Sequence, residues 1–298
     1  MSAVAARGTV AVGVDGTPEA VDAARWAVDA AQLRQLDLLL VCGYQIPMMH
    51  PELMADSIAT TRTAADQILS DVRSQLTIPP AMKVATMVEL ASPVMLLRRV
   101  SEKAALVVIG GHHFNLIDRL LSGPVASPVA AHADCPVVVV PGAWSRTAVN
   151  IRPIVVALDG QTAATAALDF AFAEAELRRC GVTALHAFAL RDASSDESKR
   201  VSIAEVLAGH EQAHPDIAVR ALFLPGEPED AIIDQSVSAA MVVVGRPHRR
   251  RVGSWTRSVA KAVLDHTLSP LVVVPQVSAD HHAPSSAIRG EGQPGRWE

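Results

Sequence analysis

TVAVGVDG, residues 9–16, returns as PIVVALDG at residues 153–160, and that return decides the fold. Both copies are runs of small and β-branched apolar residues ending in Asp-Gly, the chemistry of a strand that stops in a tight turn. The echo continues in order: VELASP (88–93) with FLPGEP (223–228), LVVIG (106–110) with MVVVG (241–245), and CPVVVVP (135–141) with SPLVVVP (269–275). The offset is 144 residues for the first pair, 135 for the middle two and 134 for the last, so one unit is written twice with small deletions in the second writing.

Within each copy, short apolar runs alternate with helical patterns, the mark of βαβ units and a parallel sheet. Strands are expected near 8–14, 36–43, 83–88, 105–110 and 136–141, then near 152–158, 181–187, 217–223, 240–245 and 270–275. Thr17 and Pro18 read as N-cap and first residue of a helix that turns Val21, Ala24, Val28 and Ala31 to one side. A second helix carries Ile58, Ala65, Leu69, Val72 and Leu76. A third starts at Ser92-Pro93 and presents Leu96, Leu97 and Val100. The expected domains are 1–147 and 148–277, joined at NIRP (150–153), with residues 278–298 as a polar, disordered tail.

Composition agrees with this layout. Half of the 298 residues are hydrophobic but only 3% are aromatic, so the core is built from Val, Ala, Leu and Ile, as parallel strands buried on both faces require. A net charge of −5 without a basic block gives no electrostatic footprint for nucleic acid. Cys42, Cys135 and Cys180 are odd in number and set among apolar residues, as reduced intracellular thiols are. With no signal-peptide pattern and no apolar stretch of ~18 residues, the expectation is a soluble cytoplasmic protein with no membrane partner. No metal is expected: adjacent His112 and His113 point apart, and no third ligand lies at a sensible spacing.

Taken together, the Asp-Gly after the first strand, the Gly/Ala-x-Pro before the third helix, the glycine after the fourth strand and the final CPVVVV strand carry a resemblance. The chain resembles the universal stress protein family in its tandem two-domain form, over about 275 of its 298 residues. The resemblance implies an α/β fold with two tandem, doubly wound, five-stranded parallel sheets of order 3-2-1-4-5, helices on both faces and a pseudo-two-fold axis between them. Ligands of such sheets sit beyond the carboxyl ends of the strands at the switch point between strands one and four. Asp15 and Gly110 fall there in copy one, and Asp159 and Gly245 in copy two.

In members of the family that bind ATP, an Asp after strand one contacts the nucleoside and a Gly-x2-Gly-x9-Gly-Ser/Thr loop wraps the phosphates. Glycines let the backbone approach closely, and the following helix N-terminus offers free N–H groups. Against that pattern, VVIGGHHFNLIDRLLSGP (107–124) keeps Gly110 and Gly123, but His113 stands for the second glycine and Pro124 for the Ser/Thr. Pro128 conflicts with a helix running from 124, so the helix is expected to start with Ser127 as cap and Pro128 at its first position. Copy two, VVVGRPHRRRVGSWTRSVAKAV (242–263), keeps Gly245 and Ser258, with His248 for the second glycine, Arg257 for the third and one residue fewer between. Its helix from 258 is free of proline and is surrounded by Arg246, Arg249, Arg250, Arg251 and Arg257, which makes copy two the better anion site.

Plainer readings stand beside these. Asp15 and Asp159 suit Asx-type turns, His113 and His248 suit polar loop positions, and the arginine run suits a solvated loop, with Trp255 nearby as a platform for adenine or a partner. Cys135 is read as a core residue.

The function implied is a stress-response regulatory or binding protein with ATP or another adenine nucleotide as its ligand. The alternative is a nucleotide-independent, protein-interaction member with both crevices closed. No Gly-x4-Gly-Lys-Ser/Thr loop, Gly-x-Ser-x-Gly elbow or His-Glu-x2-His motif is present, so no catalytic residue is nominated and turnover is not expected. VVVVP and LVVVP, left alone, are long apolar sheet edges. The resemblance implies that segments 136–141 and 270–275 pair with each other as an internal pseudo-dimer, with further homodimerisation and the protein partner left open.

Overall fold

In the computed structural model of the chain, residues 8–45, 51–111, 125–142, 144, 152–159, 165–188, 193–246, 263, 264 and 266–275 are described. Copy one runs β1 (Thr9–Gly13), α1 (Pro18–Arg34), β2 (Asp37–Tyr44), α2 (Pro51–Ser74), β3 (Val84–Leu90), α3 (Pro93–Ser101), β4 (Leu106–Gly111), α4 (Ala126–His132) and β5 (Val137–Pro141). Copy two runs β6 (Ile154–Ala157), α5 (Thr165–Arg178), β7 (Val182–Phe188), α6 (Ala193–Ala213), β8 (Val219–Pro225), α7 (Pro228–Ser236), β9 (Met241–Gly245) and β10 (Leu271–Val274). Every strand expected from the sequence is present.

The strands form one ten-stranded sheet in the order β3-β2-β1-β4-β5-β10-β9-β6-β7-β8. Each half is parallel and has the expected 3-2-1-4-5 order. The halves meet where β5 and β10 pair antiparallel, Val139 opposite Leu271 and Val137 opposite Val273. Antiparallel pairing of equivalent strands is the relation a local two-fold produces, and it removes the two apolar edges at once.

Helix starts follow the local chemistry. The Thr17 hydroxyl accepts from Ala20 N at 3.2 Å, Pro18 takes the first helical position, and Val21, Ala24, Val28 and Ala31 are all buried. Alanine supplies most of the inner side of α1, which lets the helix lie close to the sheet, with Trp26 as its one buried aromatic. One expectation needs correcting. Helix α4 begins at Ala126 after Val125, Ser127 makes no cap hydrogen bond, and Pro128 lies at the third helical position. A proline is tolerated there because the first-turn N–H groups have no acceptor within the helix.

On one side of the sheet, α1, α2, α5 and α6 cover a single core that crosses from copy to copy, holding Trp26, Leu38, Ile154 and Phe172 together. On the other side the core is divided, with α3 and α4 over copy one and α7 over copy two. Where α1 and α5 approach, Glu174 is 2% exposed and lies between Arg34 and Arg178, which are 13% and 10% exposed. Arg34 Nη2 meets Glu174 Oε1, Arg178 Nε is 3.1 Å from Oε2, and the Arg178 guanidinium sits 5.4 Å from the centre of the Trp26 ring. The two arginines are equivalent residues at the 144 offset, whereas the position equivalent to Glu174 is Ala30. One carboxylate therefore serves an arginine from each copy.

Candidate functional site

The switch point of copy one lies between β1 and β4, paired through Val12 and Val108. Asp15 follows the end of β1. Its Oδ1 accepts from the Thr17 hydroxyl at 2.6 Å and from Thr17 N at 3.1 Å, and Thr17 in turn caps α1. The acid therefore does close the turn, and its exposed carboxylate keeps Oδ2 without a partner among the described residues. Gly16 adopts φ +86° with Ile68 3.4 Å from where a Cβ would stand, so a side chain there would be strained and crowded.

Gly110 also has a packing reason. A Cβ at this position would lie 2.7 Å from the Glu19 carbonyl oxygen and 2.8 Å from its carbon, so the glycine lets the first turn of α1 rest on the end of β4. That is a demand of helix against strand, separate from any phosphate approach. Beneath Asp15, Cys42 is 4% exposed; burial, with Asp15 and Asp66 nearby, pushes its thiol up to about 11.

Copy two repeats the frame and changes the lining. Leu158 N donates to Leu185 O at 2.8 Å, as Val14 N donates to Val41 O at 2.9 Å, which brings the half-buried Asp159 to the position of Asp15. The same correspondence puts His186 where copy one has Cys42. His186 is buried, with Nδ1 2.8 Å from Leu158 O, so that nitrogen carries a proton. Its ring meets Phe223 edge-on at 6.2 Å, and the Arg200 guanidinium of α6 lies 4.9 Å from the Phe188 ring centre and 5.1 Å from that of Phe223. Gly245 ends β9 opposite Val274.

Thus Asp15 joins Gly110, and Asp159 joins Gly245, at the ends of neighbouring central strands. Arg246 departs from the anion-site reading: its guanidinium donates to Ala133 O of copy one. His113, Gly123, Pro124, His248, Arg249, Arg250, Arg251, Trp255, Arg257 and Ser258 lie outside the described residues. Sequence reasoning missed the Cys42/His186 exchange and the Arg200 stack. Aligning VCGY (41–44) with LHAF (185–188) would have exposed the first; α6 carries no comparable signal for the second.

The universal stress protein family model matches the chain twice, over residues 7–141 and 150–275. The chain belongs to the universal stress protein family. It is similar to universal stress protein Rv2005c of Mycobacterium tuberculosis, 30% identical over 301 residues that take in 90% of this chain and 97% of the relative. Universal stress protein Rv2028c of the same organism is 31% identical over 275 residues, covering 90% and 96%. Among solved structures, a universal stress protein from Archaeoglobus fulgidus shares the fold with a TM-score of 0.69 at 16% identity, covering 91% of this chain and 99% of that one. In the present universal stress protein, no described helix is long and apolar enough to cross a membrane. Among the described residues, no three His, Cys, Asp or Glu side chains are grouped to hold a metal ion.

Proposed function

We propose that this universal stress protein is a cytoplasmic stress-response regulator that binds its ligand without turning it over, and that the ligand is ATP or another adenine nucleotide. The observation that carries the reading is the doubled switch point, an Asp and a Gly at adjoining strand ends in each copy. Copy two is the tighter site: its sequence carries Ser258 and the arginines of 249–257 in the stretch that follows Gly245, residue types that suit an anion, and the His186, Phe188, Phe223 and Arg200 cluster lines its β7 and β8 ends.

The test is ATP titration calorimetry on the wild type and on Asp159→Ala combined with Ser258→Ala. Loss of the tighter binding supports the assignment, and unchanged affinity discards it. A second reading, protein interaction with both crevices closed, is favoured by one finding: Asp15 and Gly110 are each accounted for by the turn and the packing of α1. Absence of any ATP heat in the wild type would select it.

A further inference from the structure

We propose that the outer edge of β3 is a self-association surface, through which two copies of this chain pair antiparallel about a two-fold axis. Nothing in this pairing depends on nucleotide.

Strands β3 and β8 end the sheet, each hydrogen-bonded to a single neighbouring strand among the described residues. The backbone directions of β3 are fixed by its pairing with β2. Leu38 N donates to Lys83 O at 2.9 Å, and Lys83 N donates to Asp37 Oδ1 at 3.0 Å. Along a strand the N–H and C=O of one residue point to the same neighbour, and successive residues alternate. Lys83, Ala85, Met87 and Glu89 therefore turn their backbone groups to β2, and Val84, Thr86 and Val88 turn theirs outward. Ala85 and Thr86, in the first half of the strand, are exposed. A row of outward donors and acceptors is a template for another strand.

The side chains select both partner and register. With Thr86 of one copy opposite Thr86 of the second, Val84 meets Val88, and the outward groups of these residues close about six backbone hydrogen bonds. The same register sets Lys83 opposite Glu89 at both ends. These two residues share the side of the strand on which Met87 packs against the core under α3, and Glu89 Oε2 meets Arg99 of that helix. Moving the axis to Ala85 sets Lys83 opposite Met87, and moving it to Met87 sets Glu89 opposite Ala85, so the charge match is lost either way. A strand with opposite charges at its two ends is complementary to a reversed copy of itself, which makes a second copy of this chain the occupant.

The other edge of the sheet shows the contrast. At the 135 offset Ala218 stands for Lys83, exposed Arg220 for Ala85, Leu224 for Glu89 and Pro225 for Leu90. Val182 N donates to Ala218 O and Gly226 N to Phe188 O, so Pro225 faces outward and offers no N–H. Leu90 and Met95 are 51% and 66% exposed, the most exposed large apolar side chains of copy one among the described residues, and the equivalent of Met95 is Asp230. A proline and added charge blunt β8, and neither device protects β3. One adhesive edge per chain, paired with itself, closes as a dimer and does not grow into a filament. The pairing repeats between chains the antiparallel relation that β5 and β10 have within one.

The experiment is sedimentation velocity of the full chain at micromolar concentration, with amide-exchange mass spectrometry of residues 82–91. The variants are Thr86→Pro, Ala221→Pro, Lys83→Glu, and Lys83→Glu combined with Glu89→Lys, and melting curves confirm that each folds. The wild type is expected to be a dimer in which residues 84–88 are protected, and dilution to monomer releases that protection. Thr86→Pro removes the donors at the axis without touching a bond to β2, so it weakens association about 10-fold or more. Ala221→Pro, at the equivalent outward position of β8, leaves the dimer intact. Lys83→Glu sets like charges opposite each other and weakens the dimer, and the double exchange restores it. A wild-type monomer, an assembly larger than a dimer, or a dimer that Thr86→Pro leaves unchanged or Ala221→Pro disrupts equally overturns the inference. Should Thr86→Pro fail to fold, no weakening by Lys83→Glu, or no recovery in the double exchange, overturns it instead.

Discussion

The charge cluster at the seam makes the sharpest stability prediction, through Glu174→Gln and Glu174→Ala. Either change removes the one carboxylate lying between Arg34 and Arg178, and leaves two guanidiniums that are 13% and 10% exposed side by side. Burial, with Arg178 beside it, already pulls Arg34 down to about 10. Burial lowers Arg178 too, offset in part by Cys180 and then by Asp29. Breaking a buried ion pair from one side costs about 3–5 kcal/mol, because an uncompensated charge stays behind. Glu174→Gln keeps the volume and is expected to lose most of that amount, so the effect is electrostatic more than steric. Replacing the cluster together, Arg34→Met, Glu174→Leu and Arg178→Met, is expected to fall within about 1 kcal/mol of the wild type. The assay is equilibrium urea unfolding at pH 7, followed by Trp fluorescence and circular dichroism to detect separate unfolding of the halves. In 1 M salt the loss should persist, since buried pairs are little screened. A loss below about 1 kcal/mol for both single variants would refute the view that this carboxylate holds α1 against α5.

Two further predictions concern copy one. Gly110→Ala drives a methyl group into the backbone of Glu19, so stability should fall by about 1–3 kcal/mol, read as a lower melting temperature, whether or not nucleotide is present. The buried thiols should be silent at pH 8: Cys42 is pushed up to about 11 and Cys135 to about 12, chiefly by burial, so iodoacetamide should label both only after unfolding. The same shifts fix a sign. Above pH 9 the unfolded thiols release protons that the folded ones keep, so their stabilising contribution is complete below pH 9 and declines as pH rises through about 11 to 12. Cys42 labelling in the native chain at the rate of a free peptide would contradict this.

Most of the fold was legible because the chain states it twice. The equivalence of VAVGVDG and IVVALDG fixed β1 and β6, and Thr17-Pro18 announced the start of α1, since a capping hydroxyl followed by proline has few other uses. Pro128 misled by two positions: proline marks the beginning of a helix without saying which first-turn residue it occupies. The site was legible as an address more than as chemistry. Asp15 and Gly110 were correctly brought together, but that Gly110 is demanded by the Glu19 backbone is a three-dimensional fact with no one-dimensional trace. Arg246 shows the same limit, reading in sequence as one of five arginines near an anion and reaching in the fold to Ala133 of the other copy. The seam was within reach of the sequence, because Arg34 and Arg178 recur at the 144 offset while Ala30 and Glu174 do not match.

The most direct test of the central claim is denaturing extraction of the purified protein, with chromatography and mass spectrometry of whatever small molecule is released, followed by ATP titration of the emptied, refolded chain. The account predicts recovery of an adenine nucleotide at one or more per chain, and saturation at two. No nucleotide on extraction and no heat on titration would contradict it, and would assign both crevices to the architecture of a protein whose function lies in its surfaces.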